Sequence, residues 1–189
     1  MIIGISGFKG SGKSIASNIF IEYGFEKMSC ASPLKDIVST LFLWPRYLLE
    51  GDTKESREWR EYPSDEWQHL SGKGIFQHDD IITPRIVLQR IGTDLFRENI
   101  HDSFWIDNLL MRSKDRNIII DDACFLNELS ICDYTINIVR DIPSDIDAMH
   151  KSETEHMQHT FDYIVYNTST ISSLQDKISN IISILSSKE

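Results

Sequence analysis

The chain has 189 residues, 41% of them hydrophobic and 25% charged, with a formal net charge of −10 at neutral pH. That describes one globular domain with a single good core, and the acidic balance argues against a nucleic-acid scaffold, which needs a basic face. No apolar run approaches a membrane span, MIIGISG lacks the basic region of a secretion signal, and Cys30, Cys124 and Cys132 have no zinc-site spacing, so the expectation is a protein of a reducing cytoplasm.

The first predicted element is a short buried strand carrying Ile2, Ile3 and Ile5. It runs into GFKGSGKS, from Gly7 to Ser14, which fits the phosphate-loop pattern G-x-x-x-x-G-K-[ST]. Glycines let successive backbone N–H groups turn toward phosphate oxygens, and the helix that follows adds the positive end of its dipole. Lys9, Gly10, Ser11, Gly12, Lys13 and Ser14 are therefore the expected contacts of a nucleoside triphosphate. Lys13 would reach the β- and γ-phosphates and the Ser14 hydroxyl would ligate Mg²⁺. SIASNIFIEYG then reads as a helix closed at Gly24.

FEKMSCAS is a second strand candidate, and PLKDIVSTLFLW a helix stopped by Pro45. Residues 46–82 are polar, rich in tryptophan and charge, and lack clear periodicity, as expected of an irregular substrate-facing insertion. Trp44, Trp59 and Trp67 read as packing residues. TPRIVLQRIGTDLFRENI resumes helical spacing with Thr83 as N-cap, and HDSFWIDNLLMRSK is a further helix capped by Asp102 or Ser103. NIIIDD is the clearest strand, FLNELS is helical, DYTINIVR and DYIVYN are strands, and ISSLQDKISNIISIL is a terminal helix with an apolar stripe. Five apolar strands alternating with helices imply an α/β fold: a five-stranded parallel sheet flanked by helices, with ligands at the carboxyl ends of the strands.

Charge is unevenly distributed. Residues 1–97 carry 12 Lys and Arg against 13 Asp and Glu, whereas residues 98–189 carry 7 against 16. An acidic protein that binds anions needs such a local concentration of cations around the phosphate loop. NIIIDD supplies a second nucleotide-site element, an apolar strand ending on a carboxylate that reaches the Mg²⁺ shell. Alternation lets only one of the adjacent aspartates face that site.

The stretches ASPLKD, LLEGDTKESREWRE, TPRIVLQRIGTDLFRENIHDSFWID, DACFLNE and HKSE are spread along the chain from Ala31 to Glu153. In these motifs the sequence resembles the deoxynucleoside monophosphate kinases of large DNA bacteriophages, P-loop enzymes of the nucleoside monophosphate kinase type. The resemblance implies phosphoryl transfer from ATP, with Mg²⁺, to a deoxynucleoside monophosphate. It also implies a homodimer in the cytoplasm, that of the host if the source is viral. Neither a membrane nor a nucleic acid is an expected direct partner.

A dianionic acceptor phosphate needs lysine and arginine forks. Lys35, Arg57 and Arg85 are the candidates, and the resemblance favours the first two. Gln89, Gly92, Thr93, Asp94 and Trp105 are expected around the base and sugar, and Glu128 completes the set. Asp122 matches the family's strand-end aspartate, so it is assigned to metal and catalysis, with Asp121 turned the other way. A lid-like segment is expected over 141–160. LLEGDTKESREWRE can also be read as a charged surface helix, a reading that suits Arg60 better than Arg57.

Where the family pattern has arginine, this chain has Cys124, and Leu126 stands in place of proline. Cysteine cannot supply a transition-state cation. Arg140, at a strand end, is the expected substitute and Lys151 the next. The alternatives to the leading reading are another small-molecule P-loop kinase, such as one acting on dephospho-coenzyme A, and a catalytically weak nucleotide-binding relative.

Overall fold

Ile3 and Ile5 of the first strand are fully buried, and the third, fourth and fifth strands add Ile119, Ile136, Ile138 and Val165 to the same core. The structure is a computed structural model that describes residues 1–140 and 154–187. Most of the expected lid segment, including Lys151 and the HKSE motif, lies outside the described residues. Contacts along the chain group it into two compact units, Met1–Ser29 with Asn108–Glu189, and Cys30–Asp107.

The first unit holds the sheet. Its strands are β1 (Ile2–Ser6), β2 (Glu26–Met28), β3 (Ile118–Ile120), β4 (Tyr134–Val139) and β5 (Tyr163–Tyr166). They are parallel, in the order β2-β3-β1-β4-β5, with Ile3 opposite Ile119 on one side and Tyr134 on the other. Helix α1 (Lys13–Glu22) follows β1. One sheet face, with Ile3, Ile5, Ile119, Ile136 and Ile138, packs on Ala16, Ile19 and Phe20 of α1 and on the long terminal helix Ile171–Ser186. That helix buries Leu174, Ile178, Ile181, Ile182 and Leu185, while Ile171 in its first turn stays 61% exposed. The carboxyl edge of the sheet therefore collects the phosphate loop after β1, Ser29 after β2, Asp121 and Asp122 after β3, and Arg140 after β4.

The second unit contains α2 (Ser32–Phe42), α3 (Lys54–Trp59), α4 (Pro84–Gln89) and most of the irregular stretch between them. Thr53 caps α3 through a reciprocal capping box with Ser56. Thr83 caps α4 as expected, accepting from the Ile86 N–H at 3.2 Å. Phe42, Trp44, Trp59 and Trp67 pack ring to ring, with Phe42–Trp44 stacked at 4.7 Å and Trp44–Trp59 edge-on at 5.9 Å. The helix expected to continue past Gln89 instead widens into a π-helix, Arg90–Arg97. Two contacts hold that widened turn. The Gly92 carbonyl accepts from the Trp105 indole at 3.0 Å, and a Cβ on Gly92 would stand 2.6 Å from Leu34 Cδ2. Helix α5 (Phe104–Arg112) leads from the second unit back to β3, and α6 (Leu126–Ser130) follows the two aspartates. The terminal helix is hereafter α7.

Candidate active site

The phosphate loop is held from below and open above. Gly10, at φ +82°, has nothing within 4 Å of where a Cβ would sit, whereas a Cβ on Gly12 would stand 2.7 Å from Asn167 Nδ2. Asn167 Nδ2 also donates to the Ser11 carbonyl at 2.7 Å, so the residue after β5 clamps the loop. Lys13 curls back, its ammonium donating to the carbonyls of Gly7 at 2.7 Å and Phe8 at 3.0 Å. Burial pushes its pKa down, opposed by the nearby Cys124, Asp121 and Asp122. No side chain caps the start of α1, and Ser14 in its first turn is exposed. His156, from the turn Glu155–Gln158, packs edge-on against Phe8 of the loop, ring centres 5.1 Å apart.

The two aspartates turn to different partners, and Asp121, expected to point away from the site, is the one that meets α1. Asp121, two residues after the core residue Ile119, turns toward α1, where its Oδ2 accepts from the Ser17 hydroxyl at 3.2 Å. The same oxygen pairs with the Lys27 ammonium at 2.5 Å. Asp122 Oδ2 accepts from Ser29 instead. Asp121 is thus already paired with a cation, and the assignment of the metal to Asp122 rests on the motif it matches and not on its face.

Glu128 does not reach outward. It is 2% exposed, and its Oε2 accepts the backbone N–H groups of Cys124 at 2.8 Å and Phe125 at 3.1 Å. The expected substrate contact is thus a buried brace of the turn that carries Cys124. Arg140 is exposed at the end of β4.

Within the second unit, Lys35 pairs with Glu50 at 2.7 Å, Arg85 with Glu61 at 3.2 Å, and Arg57 donates to the Asp52 carbonyl at 2.8 Å. Asp94 is held by Arg90 at 2.8 Å, and Arg90 also grips Asp80 through two nitrogens. That fork keeps the Asp80 carboxyl below the usual range. Gln89 is half-buried, and Gly92 and Thr93 are buried in the π-helix. Trp105 departs from the role expected of it. It is 3% exposed, with its N–H engaged by Gly92 and its ring against Phe96 and Phe104, so it shapes the π-helix and offers no face to a base. Sequence reasoning missed Ser17, Lys27, Ser29 and Asn167, since single polar residues at strand ends or within a helix carry no local signal.

Among the described residues no group of three or more His, Cys, Asp or Glu side chains forms a metal cage. Mg²⁺ that arrives with a triphosphate needs only one or two protein oxygens, the remainder being phosphate and water. The exposed Ser14 hydroxyl and a strand-end carboxylate meet that need. The open backbone at Gly10 and the uncapped start of α1 suit a phosphate chain.

No family model matches the chain. A protein of Acanthamoeba polyphaga mimivirus named "Putative deoxynucleotide monophosphate kinase" is 31% identical over 199 aligned residues, which cover 94% of this chain and 94% of that one. Among solved structures, dephospho-CoA kinase from Campylobacter jejuni aligns with a TM-score of 0.54 at 12% identity, over 99% of this chain and 98% of its own. TT1252 from Thermus thermophilus aligns with a TM-score of 0.51 at 14% identity, over 98% and 97%. These two likenesses establish the fold. With a lysine-bearing phosphate loop after β1, paired acids after β3 and kinship along nearly its whole length, the chain belongs to the family of that mimivirus protein and is a P-loop kinase, a phosphotransferase.

Proposed function

We propose that the chain transfers the γ-phosphoryl group of ATP to a deoxynucleoside monophosphate, giving ADP and the deoxynucleoside diphosphate. The observation that carries this reading is the mimivirus relative, whose alignment spans nearly the whole chain, including the unit with Lys35, Arg57 and Arg85.

An oxygen of the acceptor phosphate attacks the γ-phosphorus. The bond from that phosphorus to the β,γ-bridging oxygen breaks, and its electron pair leaves with ADP. The acceptor is anionic at neutral pH, so no strong general base is needed, and catalysis is positioning and charge neutralisation. Lys13 would exchange the carbonyls of Gly7 and Phe8 for the β- and γ-phosphate oxygens. Mg²⁺ held through Ser14 and Asp122 would supply further neutralisation. Arg140 would take the place of the arginine that Cys124 replaces.

Release of ADP is measured with each deoxynucleoside monophosphate in turn, with dephospho-coenzyme A and water as comparison acceptors. Turnover with one or more deoxynucleoside monophosphates above the water rate is the expected result. Preference for dephospho-coenzyme A, or ATP binding without turnover, overturns it. Light scattering after gel filtration tests the homodimer.

A further inference from the structure

Arg60 closes α3, and its carbonyl accepts the Arg85 N–H at 3.1 Å, a bond that brings the ends of α3 and α4 together. Its guanidinium lies flat over Gly51. At φ +70° that residue already favours glycine, and a Cβ there would overlap the Arg60 Cζ and stand 2.7 Å from Nη1. The partners of this half-buried cation are few. Nη1 reaches the Leu49 carbonyl only at 3.4 Å, Nε is buried without any partner, and among the described residues Arg60 forms no ion pair. The carboxylates closest by charge are engaged elsewhere, Glu50 by Lys35 and Arg46, and Glu61 by Arg85. Burial pushes the Arg60 pKa down, and its cationic neighbours Arg85 and then Arg57 add to the effect, against Glu61 and Glu50.

An arginine cannot escape such a position by losing its proton. A partly desolvated cation among like charges is stabilised when an anion arrives, and a phosphomonoester brings two charges and several acceptor oxygens for forked N–H groups.

We propose that Arg60 is the inner cation of a phosphomonoester site in the second unit, completed by Arg57 and Arg85, which holds the 5′-phosphate of the acceptor. This rests on the deoxynucleoside monophosphate reading above, and deepens it by naming a residue that neither the motif nor the kinship assigns. Gly51 is then the seat of that guanidinium as well as a turn residue.

The test uses the full chain and the variants Arg60→Met, Arg60→Lys and Gly51→Ala. Each is titrated calorimetrically with the four common deoxynucleoside monophosphates, with inorganic phosphate and with ATP, and the unliganded Tm is recorded. Arg60→Met is expected to weaken monophosphate and phosphate binding at least tenfold and to raise KM for the acceptor. KM for ATP should hold, and the unliganded Tm should be unchanged or higher, because a partly desolvated charge without an ion-pair partner is removed. Arg60→Lys should fall between, and Gly51→Ala should follow Arg60→Met. Wild-type phosphate affinity in Arg60→Met overturns the inference. So does a lowered Tm, which would mark Arg60 as a structural cation, and so does a wild-type chain that binds no phosphomonoester. The two readings fail separately. Binding through Arg60 without turnover of any deoxynucleotide sinks the substrate assignment alone, and turnover indifferent to Arg60 sinks the site alone.

Discussion

The Ser17 hydroxyl donates to Asp121 Oδ2 at 3.2 Å, and the Lys27 ammonium closes on the same oxygen at 2.5 Å. Through this carboxylate β3 is tied to α1 one turn beyond Ser14 and to β2 through Lys27. The neighbouring Asp122 meets Ser29 instead. Asp121→Asn is therefore expected to cost stability, about 1–2 kcal/mol for lost charge-assisted hydrogen bonds, with modest loss of rate. Asp122→Asn should keep its Tm and lose about a hundredfold or more in kcat. Thermal melts and saturated turnover of the two variants check the division, and the reverse pattern would move the metal to Asp121.

Lys13→Ala should leave circular dichroism unchanged and lower kcat by at least about a hundredfold. The ammonium is already positioned in the loop by two carbonyls, and alanine removes the charge aimed at the β- and γ-phosphates. Near-parental kcat at saturating ATP would falsify this role.

For Arg57→Ala, weaker monophosphate binding with ATP affinity little changed is the expected outcome. Its side chain is only half-buried and its bond to the Asp52 carbonyl is a local one, so stability should hardly move. A fall in ATP affinity instead would place Arg57 on the donor side.

The Cys124 turn, braced by Glu128, lies within electrostatic reach of Lys13. An arginine there would set a second cation beside the loop lysine, so Cys124→Arg is expected to change kcat by less than about tenfold, the equivalent of 1.4 kcal/mol of barrier. Arg140→Ala should be the costly change. If Cys124→Arg accelerates turnover tenfold while Arg140→Ala is silent, substitution by Arg140 is refuted.

Thiol chemistry offers an independent probe of the same turn. The Cys132 thiol donates to the Glu128 carbonyl at 3.3 Å, and burial together with nearby carboxylates pushes its pKa up to about 12. At pH 8 it should resist iodoacetamide while Cys124 reacts first, and ATP should slow the Cys124 reaction. Mass spectrometry of peptides from timed samples reads both rates, and faster labelling of Cys132 would contradict the burial of that thiol.

Much of this molecule was legible in local spacing alone. Three isoleucines before GFKGSGKS, the apolar NIII run and the Thr83 cap each identify their element, because strand alternation, helix period and cap chemistry act over a few residues. The parallel sheet followed from the alternation of strands and helices, and the comparisons bear out that α/β P-loop kinase fold. What only the tertiary structure decided concerns partners far apart in the chain. Period says that Asp121 and Asp122 face opposite ways but not which side α1 occupies, and the deciding bond joins residues 104 positions apart. Asn167 closes on Ser11 across 156 positions. Trp105 and Glu128 look like site residues from their motifs, yet packing turns both inward, onto Gly92 and the Cys124 turn. Arg60 shows the converse: a charged helical position reads as solvated surface until the fold lays its half-buried guanidinium against Gly51, with its Nε out of reach of any partner. Local chemistry determines which element a residue joins, and only the packing of elements determines which charges are neutralised.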